Sequence, residues 1–128
     1  FLYRKLNFSA RFILPGSFKQ KPSKKILRHY TRPFPTSKER EGTIAFARSL
    51  LNDQGWFQQL WDKKKPIENK KTLFIWGIRD TILPSKYLRT FEAGFPNSST
   101  IELEAGHFPH EENSEQVSNS ILQWAQTK

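Results

Sequence analysis

Two short apolar runs interrupt a chain otherwise patterned at helical spacing. Leu73-Phe74-Ile75-Trp76 stops at Gly77 and predicts a strand over 72–76. A second run around Thr100-Ile101-Glu102-Leu103 predicts a strand over 99–103. Between them, Pro84 suits the first turn of a helix with Tyr87, Leu88 and Phe91 facing inward and Gly94 at its end. Pro96-Asn97-Ser98 then supplies a turn. A last helix starts after Asn113 or Ser114, with Gln116 completing a capping box and Val117, Ile121, Leu122 and Ala125 as its apolar face. Strand, helix, strand, helix implies parallel strands joined by a right-handed crossover.

Upstream the pattern is helical or irregular. Residues 1–22 are rich in aromatics (Phe1, Tyr3, Phe8, Phe12, Phe18) and broken by Pro15-Gly16 and Pro22. They read as irregular, with Phe12-Ile13-Leu14-Pro15 as a short extended piece. Ser23 is a candidate N-cap for a helix over Lys24–Tyr30, whose Ile26, Leu27 and Tyr30 share a face. Arg32-Pro33-Phe34-Pro35 breaks it, because each proline disfavours helical geometry in the residue before it. Thr36 opens the next helix in a capping box with Glu39, and Ile44, Ala47 and Leu51 recur at helical spacing. A third helix is expected over about Gly55–Lys64, with a stripe of Trp56, Phe57, Leu60 and Trp61. The charged residues 62–71, with Pro66, suit a linker. The expected organisation is a helical cap segment over 1–71 and a core segment over 72–128.

Charge sharpens that division. Residues 1–71 hold 17 Lys/Arg against 5 Asp/Glu, and residues 72–128 hold 4 against 7. A basic half can attract anionic partners, so a non-catalytic binding module for such partners is the rival reading. The charges are nevertheless scattered over helical positions, and no nucleic-acid motif is present, so no nucleic-acid partner is expected. The chain has no cysteine, which excludes disulfides and thiolate metal sites. No stretch approaches the roughly 18 apolar residues of a membrane span, and Phe1-Leu2-Tyr3-Arg4 is too short for a signal peptide. The default expectation is a cytoplasmic location. Two strands alone leave open edges and bare faces, and the chain contains no Met. It therefore reads as the downstream part of a longer protein.

The candidate chemistry sits just past the two strands. Asp80 follows Gly77 by three residues, and His107 follows Leu103 by four. Carboxylate and imidazole can thus emerge at one C-terminal sheet edge, where open α/β folds place their sites. A carboxylate that accepts one imidazole N–H fixes the tautomer and orientation of the ring, leaving the other nitrogen as a base. Taken singly, Asp80 fits turn chemistry and His107 a structural histidine; their paired placement favours catalysis. His110, Glu111 and Glu112 form a second polar cluster, but adjacent side chains do not readily converge on one ion, so no metal and no cofactor are expected. His29 reads as a surface residue of a basic helix.

With those residues identified, the chain resembles the C-terminal part of the α/β-hydrolase superfamily, most closely its haloalkane dehalogenase-like members. Leu73-Phe74-Ile75-Trp76-Gly77-x-x-Asp80 looks like the strand carrying the triad acid. Ala105-Gly106-His107-Phe108-Pro109-x-Glu111-Glu112 looks like the catalytic histidine loop. His29-Tyr30-x-x-Pro33-Phe34-Pro35 followed by Glu39-Arg40 is similar to part of the helical cap. The resemblance implies an α/β fold. It also implies Asp80 and His107 as catalytic residues, with Phe108, Phe34 and Phe46 lining the pocket of a small apolar substrate. In that family a nucleophile sits on a strand–helix turn, Gly-x-Asp-x-Gly or Gly-x-Ser-x-Gly, and neither pattern occurs here. The chain alone is therefore expected to be inactive, with the missing N-terminal half as its partner.

Overall fold

The computed structural model describes residues 2–126, the side chains of residues 2 and 3 excepted; Phe1 and the Tyr3 ring lie outside the described residues. The chain forms two compact units, residues 1–16 with 22–65 and residues 17–21 with 66–128.

The first unit is helical. Residues 2–16 fold as α1 (Leu2–Leu6), a π-helical turn (Ser9–Ile13) and α2 (Leu14–Gly16), where the sequence suggested irregular chain and an extended piece at Phe12–Pro15. The breakers mislead because α2 continues the π-helical turn without a break, so Pro15 and Gly16 fall in the last turn of one helical run and end it rather than prevent it. Phe8 and Phe12 stack at 5.2 Å between ring centroids. Helix α3 spans Lys24–Thr31, and the Ser23 hydroxyl caps it by accepting from the Ile26 N–H at 3.3 Å. The Thr36–Glu39 box forms: Glu39 Oε2 accepts from the Thr36 N–H at 2.8 Å and the Thr36 hydroxyl at 2.7 Å. It closes a turn rather than opening a helix, and α4 runs only over Glu41–Asn52. Arg40 fills the gap between them. Its buried guanidinium donates to the carbonyls of Phe34, Pro35, Arg4 and Lys5. Helix α5 covers Gln54–Asp62, and its expected apolar stripe is largely in solvent, with Trp56 55% and Leu60 49% exposed.

The second unit carries the strands. β1 (Thr72–Gly77) and β2 (Ser98–Leu103) pair in parallel, with Thr72 opposite Ser98 and Gly77 opposite Leu103. Helix α6 (Ser85–Gly94) connects them, with Pro84 one residue before it as its N-cap. Leu88 is fully buried, which is worth roughly 1.5–3 kcal/mol for a leucine side chain, whereas Tyr87 and Phe91 remain about 40% exposed, contrary to the inward face expected for all three. A short α7 (Pro109–Glu112) leads into α8 (Ser114–Gln126), which packs against β1. On α8 the expected apolar face is partly open, with Ile121 47% and Leu122 60% exposed. Trp124 is the half-buried residue instead, with its carbonyl accepting from Lys71 Nζ at 2.6 Å and its ring lying under that ammonium at 4.8 Å. Among the described residues, no helix is long and apolar enough to cross a membrane.

Candidate functional site

Because Gly77 and Leu103 are register partners, the two strands stop at the same level and their following loops start side by side. Backbone bonds bind the loops together. The Ile78 N–H donates to Leu103 O at 2.9 Å, and the Arg79 N–H donates to Ala105 O at 3.0 Å. The approach is close enough to require glycine. A methyl group on Gly77 would strike the carbonyl oxygens of Gly106 and Ala105, the latter at 2.5 Å.

Asp80 is reached through a turn closed by its own N–H on Gly77 O at 3.1 Å. Both oxygens of its carboxylate are engaged. Oδ1 accepts from the Ile82 N–H at 2.8 Å and the Leu83 N–H at 2.9 Å. Oδ2 lies 2.8 Å from Nδ1 of His107. The Asp80 side chain is only 7% exposed and the imidazole 28%, so the carboxylate is enclosed while the ring keeps an open side. The Trp76 indole holds the far end of the acid loop, donating to Leu83 O at 3.0 Å.

The histidine loop rests on a segment far away in sequence. The His107 N–H donates to Ser17 O at 2.8 Å, and Phe18, buried, stacks on Phe108 at 4.7 Å. Phe108 also meets the His107 ring edge-on at 5.0 Å. Glu112 accepts the Gly106 N–H on Oε1 at 2.7 Å, and on Oε2 the N–H groups of Lys19 at 2.9 Å and Gln20 at 3.2 Å. Glu104 bonds Lys19 Nζ at 2.9 Å and Arg79 Nε at 3.1 Å; Lys19 first and Arg79 second hold its carboxyl below the usual glutamate range.

Asp80, His107 and Phe108 are therefore brought together, as the sequence suggested. Phe34 and Phe46 belong to the first unit; Phe34 is half-buried and Phe46 is 67% exposed. His29 is exposed on α3. His110 is exposed, with its ring 5.9 Å from that of Phe108. No cluster of three or more metal-ligating side chains occurs among the described residues. Sequence reasoning missed the 17–21 segment, which looked like unstructured chain, and the use of Glu112. The one available signal was a carboxylate six residues past a buried glycine.

No family model matches the sequence, and no curated protein is significantly similar to it. Solved structures do match. The chain superposes on a mutant of DbjA (DbjA delta) with a TM-score of 0.82 at 22% identity, covering 96% of this chain and 44% of that one. It superposes equally well, at 0.82 and 21% identity, on haloalkane dehalogenase DbeA from Bradyrhizobium elkani USDA94, again over 96% of this chain and 44% of that one. The chain thus spans less than half the length of these proteins and corresponds to their C-terminal part. Its fold is that of the C-terminal part of an α/β-hydrolase.

Proposed function

We propose that this chain supplies the acid and the base of an α/β-fold hydrolase that acts on a small apolar substrate, a haloalkane, ester or epoxide, through a covalent intermediate. The observation that carries this reading is the 2.8 Å contact between Asp80 Oδ2 and His107 Nδ1 at the shared end of two parallel strands. The likeness in fold to a haloalkane dehalogenase supports it.

The chemistry follows from the contact. An ionised Asp80 is acceptor-only, so Nδ1 carries the proton and Nε2 presents a lone pair. Nε2 then removes a proton from water as the water oxygen attacks the ester carbon of the intermediate. The buried carboxylate stabilises the imidazolium formed, and the imidazolium returns the proton to the departing alkoxide. The nucleophile and oxyanion donors belong to an upstream segment, because no Gly-x-Asp-x-Gly or Gly-x-Ser-x-Gly occurs here. An aspartate there directs the chemistry to haloalkanes or epoxides, and a serine to esters.

The test is an assay on short chloroalkanes, epoxides and short esters, using this chain alone and the longest polypeptide encoded in frame with it. Turnover by the longer polypeptide that disappears in His107→Ala, with none by this chain, supports the reading. Turnover by this chain alone, or turnover indifferent to His107, contradicts it.

A further inference from the structure

Glu112 lies outside the acid–histidine pair, yet its carboxylate grips both supports of the histidine. Oε1 takes the N–H of Gly106, the residue immediately before His107, at 2.7 Å. Oε2 takes the N–H groups of Lys19 and Gln20 at 2.9 and 3.2 Å. These two residues continue the strap whose Ser17 carbonyl accepts the His107 N–H at 2.8 Å. Gly106 packs so tightly on the strap that an added methyl group would fall 2.6 Å from Lys19 N. We infer that Glu112 is the positioning residue that sets where the His107 ring stands, by clamping the Ser17–Lys21 strap and the Gly106 peptide onto one carboxylate.

A carboxylate suits this task for a chemical reason. Three N–H donors converge on two oxygens, and an ionised carboxyl is the side chain that accepts on both sides and donates on neither. A glutamine of the same shape can satisfy one side, but turns an NH2 group toward donors on the other. An aspartate, one methylene shorter, cannot span both. The inference rests on the proposed role of His107 only for its catalytic consequence; the clamp itself is tested without turnover.

The experiment is NMR on the whole chain, comparing Glu112→Gln, Glu112→Ala and an exposed control on the next helix, Glu115→Gln. Amide exchange of Gly106, Lys19 and Gln20 is read beside that of Phe74 and Ile101 in the strands, together with the downfield Nδ1 proton of His107. The expected result for both Glu112 variants is exchange faster by about tenfold or more at the clamped amides, as for loss of a charge-assisted bond. The strand amides should be unchanged, and the Nδ1 signal shifted or broadened. The control should behave as wild type. Two results overturn the inference: an unaltered Nδ1 signal in Glu112→Gln, or equal loss of protection in the strands, which marks Glu112 as general scaffold. Because these readouts need no nucleophile, a failed activity assay would leave the clamp standing, and a failed clamp would leave the acid–base reading standing.

Discussion

Gly77 and Leu103 face each other at the last register position of β1 and β2. The acid loop and the histidine loop leave from that level, and the 27 residues from Asp80 to His107 close into a single 2.8 Å contact. The geometry depends on the glycine, since any side chain at position 77 collides with the backbone of Ala105 and Gly106.

Gly77→Ala is accordingly expected to destabilise the chain by about 1–3 kcal/mol, the usual cost of overpacking, and to displace the histidine loop. Gly42→Ala makes the contrasting case. A methyl group there meets open space on α4, so stability should rise by roughly 0.5–1 kcal/mol from helix propensity. Urea melts of the two variants measure both signs; equal effects would contradict the close-approach argument.

Asp80 receives two loop N–H groups besides the imidazole. Asp80→Ala should cost about 1–3 kcal/mol because it removes the acceptor of three hydrogen bonds at once. Asp80→Asn should preserve the fold better, while removing the carboxylate that holds the proton on Nδ1. The downfield imidazole proton should be lost in both variants, and its persistence would argue against the pair.

Arg40 is 7% exposed and bonds four backbone carbonyls in the first unit. Arg40→Lys keeps the charge but loses the planar fork that reaches several acceptors at once. A loss of about 2 kcal/mol is expected, with little effect on the His107 ring signals. A neutral outcome in a urea melt would show that the turn before α4 holds without it.

Acid should loosen the strap through Glu104. Its carboxyl is held below the usual range by Lys19 and then Arg79. A depressed folded pKa contributes stability that is present above the unfolded value, about 4.3, and is lost as pH falls through the folded one. Lys19 amide protection should therefore decline in that window in the wild type, and the decline should weaken in Glu104→Gln. All three charged groups are partly exposed, so the effect should also shrink with added salt.

Much of the second unit was legible because its signals are local. Two apolar runs marked the strands, and the acid and histidine fell a few residues past them. In the first unit the capping residues were legible, but their consequence was not. The Thr36–Glu39 box forms, yet it closes a turn before α4, where Arg40 bonds the carbonyls of Phe34, Pro35, Arg4 and Lys5. Residues 2–16 are largely helical despite a Pro-Gly pair, which falls in the last turn of the run from Phe8 and marks its end rather than an irregular chain. The strap was illegible for a different reason. Its partners Gly106, His107 and Glu112 lie about 90 residues away, and no periodicity within 17–21 reports a contact made at that distance. Burial was overestimated on α5, α6 and α8, where helical spacing shows which residues share a face but not whether anything covers it.

We propose that His107, oriented by Asp80, is the base of a hydrolase whose nucleophile lies upstream. The most direct test is the turnover of small haloalkanes, epoxides and esters by the longest in-frame polypeptide, wild type against His107→Ala. The predicted result is a loss of about 10³-fold or more in kcat, with the fold unchanged by circular dichroism. An active polypeptide whose kcat survives His107→Ala within a few-fold would contradict it.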